Sequence, residues 1–526
     1  MTEPGEAEVR LDTDRAPQRV CAAYSAQRLS QPTANLAHSG SPSPDLSVPT
    51  LISFLLNGEP LILPDASPER LLLDFLRRER RAIGTKEGCR EGDCGACAVL
   101  IGELNPSGEP VYRAVPSCMV LLSHVQGRHV VTIEGLNLNE GLSPVQTAVV
   151  NHGGSQCGFC TPGFIVSFTS FLLNTTEFTV EAATNAIAGN LCRCTGYSSL
   201  VRAGAAIASE FGKLTAPGPQ RLQALLQAGA LPSTFESVVE KLHALPEAQS
   251  EVVPTALVLG GGTDLIVQRG AGLERTPTAN HFASLAERQL TLDGDTLRIP
   301  GAATFEDLYR SELFTGLWPL AKADLERFAS ILIRERATVA GNLANASPIA
   351  DGTALFLALD AYLELDGPQG SRVLPLAELY LGYKQLALLE RERITSLCIP
   401  NAQQTTRKYH FEKVSKREYL DIATVNSALS IQVEEGKILR ASLSAGGVGP
   451  TPMLLAKTTA FLCGQALEVP TLLAAALILN EEIAPISDVR GSATYKRLLL
   501  RQLFFAHFLA LFPTEIPERE LMEATR

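Results

Sequence analysis

The chain has 526 residues, is 45% hydrophobic and 19% charged, and carries a net charge of −11; that length exceeds one ordinary core and calls for three or four domains. The acidic balance excludes a general nucleic-acid partner, because phosphate binding needs clustered Lys and Arg. Apolar runs such as 164–173 and 504–512 are too short to span a bilayer, and no apolar stretch follows a basic start at the N-terminus, so a cytoplasmic, reducing setting is expected.

Residues 1–48 are rich in Pro, Ser and charge without periodicity, and read as an extension with no core of its own. Structure is expected from Leu51. Ile52, Phe54 and Leu56 alternate, Asn57-Gly58 follows, and Leu61 to Leu63 completes a predicted hairpin, since Asn-Gly tolerates the positive φ of the turn. Pro68-Glu69-Arg70 opens a helical pattern through Leu71, Leu72, Phe75 and Leu76. Apolar strands are predicted at 98–101 and 129–133. Pro162 suits the first turn of a helix reaching Leu173. Thr179 caps a helix over 180–188 that Gly189-Asn190 stops. Another helix runs from Ser198 to Phe211, and 213–220 reads as a linker. From Ala224 the pattern is mixed α/β. A short strand, Leu257 to Leu259, enters a glycine run. Strands at 428–433 and 439–443 precede helices at 471–483 and 491–512.

Eleven cysteines are present. In a reducing compartment, clustered cysteines read as metal ligands rather than disulfides. Cys21, Cys398 and Cys463 stand alone; the last two read as small buried hydrophobes and Cys21 falls in the extension. Cys89, Cys94 and Cys97 have the spacing C-x4-C-x2-C, and Cys118 stands further on, which is the plant-type [2Fe-2S] arrangement. Gly88, Gly92 and Gly95 let the loop curl tightly and let backbone N–H groups face the sulfurs. Zinc ribbons pair two C-x2-C units, which this set lacks. Cys157 and Cys160 at a helix start, with Cys192 and Cys194 between two helices, make a second set. Its C-x2-C plus C-x-C spacing alone fits zinc as well as iron–sulfur.

Gly260-Gly261-Gly262-Thr263 after a strand could cradle a phosphate or simply turn the chain; it matches neither the dinucleotide fingerprint nor a P-loop. The stretch from Thr338 to Asp351 is dense in small, hydrogen-bonding residues, as suits backbone pressed against a polar ligand or a polar loop between core strands.

In this order, 86–100 (KEGCREGDCGACAVL), 156–164 (QCGFCTPGF), 189–197 (GNLCRCTGY), 259–265 (LGGGTDL) and 338–351 (TVAGNLANASPIAD) resemble the molybdenum hydroxylases, and among them the iron–sulfur/FAD chain of the bacterial xanthine dehydrogenase type. The likeness runs from about residue 50 to the C-terminus. It implies a multidomain α+β fold: a β-grasp [2Fe-2S] domain at 49–132, a helical-bundle [2Fe-2S] domain at 133–213, a linker at 214–228, a two-lobed α+β FAD domain at 229–404 and a C-terminal α+β flavoprotein lobe at 405–520. By the same match, Val258, Leu259, Gly260, Gly261, Gly262, Thr263, Asp264 and Leu265 hold the FAD pyrophosphate. Thr338, Asn342, Asn345 and Asp351 contact the dinucleotide, Phe328 stacks near the isoalloxazine, and Ile394 and Lys413 are further flavin contacts.

The resemblance implies an oxidoreductase of purine catabolism. Hypoxanthine and xanthine would be oxidised to urate at a molybdopterin on a partner chain, because this chain leaves no length for that domain. Electrons would pass through two [2Fe-2S] clusters and FAD to NAD+, in a heterotetramer of two small and two large chains. No side chain here need act as a catalytic acid or base. A relative acting on another N-heterocycle or an aldehyde, or using oxygen, fits the same residues. From another class, so does a zinc-binding assembly module, which would be colourless.

Overall fold

The computed structural model describes residues 47–64, 66–214, 217–247, 249–252, 257–275, 278–280 and 283–524; most of the predicted extension, with Cys21, lies outside them. The first sheet is mixed, with strands in the order Glu59–Leu63, Ser47–Leu56, His129–Val131, Ala98–Leu104 and Pro110–Pro116. The hairpin turns at Asn57 and Gly58, whose φ values are 53° and 87°. Its first strand begins at Ser47, before the expected Leu51, because Ser47–Leu51 pairs with Gln249–Val252. The predicted helix at Pro68 starts only at Leu72 and continues as a π turn to Glu79. Leu71 is held extended by a bridge to Leu121, which delays the first turn.

Strand Ala98–Leu104 is buried on both faces. Val99 and Ile101 face the core with Phe54 and Phe75, while Ala98 and Leu100 face Phe164 and Phe168 of the next domain. An unbroken apolar run results, where a half-buried strand would alternate. That next domain is a bundle of helices Pro144–Asn151, Thr161–Asn174, Val180–Ala186 and Ser198–Phe211. Thr179 caps the third as expected, accepting from the Ala182 N–H at 3.0 Å. The stretch read as a linker contains helix Pro219–Gln227. Its Arg221 is buried, donates to the Leu172 carbonyl at 2.8 Å and lies over the Phe178 ring.

Beyond it, Leu257–Leu259 and Thr278–Asn280 form a parallel pair, and a five-stranded antiparallel sheet runs Gly370–Pro375, Tyr362–Gly367, Arg393–Ile399, Thr296–Pro300, Thr291–Asp293. Helix Val339–Ala344 packs on it, while helix Asp351–Ala358 packs against strands Val425–Glu434 and Lys437–Gly446. The last lobe has strands Arg407–Val414, Val425–Glu434, Lys437–Gly446 and Met453–Leu454, covered on one face by helices Val469–Glu482 and Ala493–Leu511. Its other face sends Tyr409 and Phe411 into the core of the preceding lobe. Cys398 and Cys463 are buried, as expected. No helix of the described residues is long and apolar enough to cross a membrane.

Candidate redox centres and flavin cradle

The first cysteine loop curls through Gly92 and Gly95 at φ of 80° and 64°. A Cβ on Gly88 would stand 2.7 Å from the Cys94 Sγ. Amide hydrogens face the sulfurs: Cys89 N–H donates to Cys94 Sγ at 3.4 Å, and Glu91 N–H to Cys89 Sγ at 3.3 Å. The thiols meet in pairs. A hydrogen bond from Cys94 lowers the Cys89 thiol to about 5, and the same bond raises Cys94. Cys118 likewise lowers Cys97 and is raised in turn. Cys97 and Cys118 are buried.

The second set is also paired, Cys160 with Cys192 and Cys157 with Cys194. Burial pushes the Cys160 thiol up to about 12. Burial also opposes ionisation of Cys192, but the Thr195 hydroxyl at 3.1 Å and amide at 3.5 Å, together with the Cys160 thiol and the Cys194 amide, outweigh it and lower that thiol. Tyr197, at φ 67°, accepts the Cys192 N–H on its hydroxyl at 3.0 Å. Cys157 and Cys194 are exposed.

Two and two is the division that a two-iron cluster requires, one thiolate pair per iron. Both quartets therefore fit [2Fe-2S] clusters. Cys89, Cys94, Cys97 and Cys118 would hold one and Cys157, Cys160, Cys192 and Cys194 the other.

The two sites touch. Leu191 N–H donates to the Cys94 carbonyl at 3.0 Å. Asn190 Nδ2 donates to the Gly95 carbonyl at 3.3 Å, while its Oδ1 accepts from Ser167 at 2.8 Å. On the far side, Cys97 and Cys118 share an apolar cluster with Leu259, Ile266 and Leu273. The first quartet thus lies between the second and the glycine loop.

That loop rests on residues 336–338. A Cβ on Gly261 would fall 1.6 Å from the Arg336 carbonyl oxygen, and one on Gly260 2.9 Å from Thr338 Oγ1. Thr338 caps its helix, accepting from Gly341 N–H at 3.1 Å. Asn342 Oδ1 is buried with no hydrogen-bond partner among the described residues, an acceptor that suits a donor on a polar ligand such as FAD. Asn345 Oδ1 accepts from Lys384 at 2.6 Å. Asp351 accepts from Lys413 at 2.7 Å and from Asn426 at 2.6 Å. Phe328 is buried between Phe305 and Phe411, at 5.6 and 5.1 Å. The Ile394 side chain lies in the same core, and its carbonyl abuts Gly301 beside Ala340. His124, Arg336 and Asn426 escape sequence reasoning, because no motif spacing marks them, and Asn190 reads there only as a helix stop.

Four family models match: "2Fe-2S iron-sulfur cluster binding domain" at 54–122, "[2Fe-2S] binding domain" at 132–205, "FAD binding domain in molybdopterin dehydrogenase" at 230–402 and "CO dehydrogenase flavoprotein C-terminal domain" at 410–511. The chain is 29% identical to a xanthine dehydrogenase of Emericella nidulans, over 87% of this chain and 38% of that protein. It is 26% identical to aldehyde oxidase 4 of Cavia porcellus, over 89% of this chain and 40% of that one. Among solved structures it is similar to a carbon monoxide dehydrogenase from Hydrogenophaga pseudoflava, with 25% identity, a TM-score of 0.45, and coverage of 48% of this chain and 88% of that chain. Fold and sites define an electron-transfer iron–sulfur flavoprotein with two [2Fe-2S] domains and an FAD-binding domain. The chain resembles the iron–sulfur and FAD portion of the molybdenum hydroxylases. It spans about two fifths of the length of these two curated relatives.

Proposed function

We propose that this chain is the iron–sulfur/FAD subunit of a cytoplasmic xanthine dehydrogenase. It would take electrons from a molybdopterin-bearing partner that oxidises hypoxanthine and xanthine to urate, and deliver them to NAD+, in a heterotetramer of two small and two large chains. When bound, the clusters supply one-electron carriage and FAD exchanges electron pairs. The carrying observation is an exposure gradient. Cys157 and Cys194 are exposed beside Phe159, Leu191 and Tyr197, which are 47%, 42% and 38% exposed. Such an apolar rim favours a docked partner. Cys97 and Cys118, in contrast, are sealed against the glycine-loop cluster.

In this reading the backbone of Val258 to Leu265 holds the FAD pyrophosphate, and Thr338, Asn342, Asn345 and Asp351 orient the dinucleotide. Phe328 and Ile394 back the isoalloxazine, and Lys413 fixes Asp351. An open cavity of about 600 Å³ lined by Arg327, Glu412, Lys413, Lys416, Arg417 and Tyr419 offers cations to the phosphates of NAD+. The test is xanthine-dependent NADH formation by the chain purified with its partner. Absence of flavin and iron–sulfur bands in the visible spectrum would refute the reading at its root.

The likeness to an aldehyde oxidase favours a second reading, an aldehyde or other N-heterocycle as substrate with oxygen as acceptor. Comparing xanthine with an aldehyde, and NAD+ with oxygen, in the same assay separates the two.

A further inference from the structure

Arg336 is 1% exposed and lies where the first cysteine domain meets the glycine loop. One terminal nitrogen of its guanidinium, Nη2, donates to the Gly261 carbonyl at 3.1 Å and also meets Nδ1 of His124. His124 follows Cys118 by six residues, in the short helical turn Leu122–Val125, and is fully buried. The Arg336 main chain supports the loop too, since its carbonyl oxygen lies where a Gly261 Cβ would be. A single side chain therefore touches the loop that would bind FAD and the domain that would bind the first cluster.

The surroundings make the contact stiff. Arg128 donates to the His124 carbonyl and to Glu103 at 3.0 Å. Arg288 reaches Glu103 at 2.8 Å and Asp307 at 3.3 Å. Arg113 joins Asp307 at 3.0 Å to Glu335 at 2.8 Å, the residue before Arg336. Buried charged hydrogen bonds of this kind fix geometry, and losing one partner costs more than the bond itself is worth.

We infer that Arg336 is a positioning residue that couples FAD binding to the first iron–sulfur domain, through His124 on one side and the Gly261 carbonyl on the other. The inference rests on the proposed FAD cradle. It concerns a residue that need not touch the flavin, and it implies that a change in the cysteine domain alters flavin affinity in the FAD domain.

The test is a double-mutant cycle on FAD affinity. FAD is titrated into flavin-free protein with both clusters loaded, and quenching of flavin fluorescence is followed, for wild type, Arg336→Met, His124→Leu and the pair. Each single variant is expected to weaken FAD binding by at least about tenfold, the loss of a hydrogen bond to a charged group. The pair should be no weaker than Arg336→Met alone, because both changes cut one bridge. Arg336→Lys, which keeps the charge but can serve only part of the geometry, should fall between wild type and Arg336→Met. In dithionite-reduced samples, adding FAD should change the electron paramagnetic resonance signal of the first cluster in wild type and not in Arg336→Met, with the second cluster's signal constant. Additive effects in the cycle, or affinities within about twofold of wild type in both single variants, would overturn the coupling. Failure of wild type itself to bind FAD would instead overturn the cradle.

Discussion

Gly163→Ala should destabilise a helix that the same substitution ordinarily strengthens. Gly163 lies in the first turn of helix Thr161–Asn174, and its φ is not positive. On propensity alone, alanine would gain up to about 1 kcal/mol. The added Cβ, however, would stand 2.2 Å from the Gly95 carbonyl oxygen and 3.2 Å from Asn190 Nδ2. Neither can move freely: Asn190 is pinned by Ser167, and the Gly95 carbonyl accepts from the Ala98 N–H at 3.1 Å and from Asn190 at 3.3 Å. Overpacking of this kind costs about 1–3 kcal/mol; a mid-range cost of about 2 kcal/mol leaves a net loss of about 1 kcal/mol. The control is Gly316→Ala in helix Glu312–Leu317, where nothing lies within 4 Å of the new Cβ; it should gain about 0.4–1 kcal/mol. Thermal unfolding of the loaded protein, followed by cluster absorbance and by circular dichroism, should show Gly163→Ala lowered by roughly 2–8 °C and Gly316→Ala raised. Stabilisation of both variants would refute the view that the two cysteine domains are locked at this contact.

Cys94→Ser should remove the first cluster's absorption, keep the second's, and abolish flavin reduction by the partner's substrate in stopped flow; normal flavin reduction would sink the relay. His410 and His507 face each other at 2.9 Å in the buried core of the last lobe, and burial holds both below their ordinary value. The unfolded chain then binds the protons first, so stability should be level above about pH 7 and fall below about pH 6.5, by up to ~2.7 kcal/mol per pH unit for the pair. Urea midpoints for His410→Gln/His507→Leu should show a shallower fall than wild type. Asp324, raised to about 7 by burial, keeps its proton on folding while the unfolded chain loses it near 4, so its contribution is full at low pH and is lost as pH rises through 7. Asp324→Asn should accordingly raise the melting temperature at pH 8 and leave it nearly unchanged at about pH 3.5.

What the sequence made legible is what lies close along the chain. Cys89, Cys94 and Cys97 share one loop, so their spacing reports the ligand geometry directly. The Asn57-Gly58 turn and the Thr179 cap are equally local. Long-range partners decide the rest. Strand Ser47–Leu56 starts early because of residues some two hundred positions away, and the helix after Pro68 starts late because Leu71 is bridged to Leu121. Pro219-Gln220-Arg221 looked like a linker because the carbonyl that receives Arg221 belongs to another helix. The pairing of Cys157 with Cys194 rather than with its sequence neighbour Cys160 is likewise a property of three helices meeting.

Gly95 shows where the two kinds of information join. From sequence, its role is to let the loop turn inside a cysteine cluster, and its φ of 64° bears that out. The fold adds a second demand, because a Cβ there would stand 2.5 Å from the Gly189 carbonyl and 2.6 Å from Asn190 Nδ2 in the second cysteine domain. A Cβ on Gly163, in turn, would stand 2.2 Å from the Gly95 carbonyl oxygen. Side chains are thus excluded both at Gly95 and at Gly163, on the two segments that meet between the quartets. Backbone curvature alone would not require that of Gly163. Bringing the two cysteine loops within the reach of a single hydrogen bond does, and it would tie the loop's glycines to the distance an electron crosses between bound clusters.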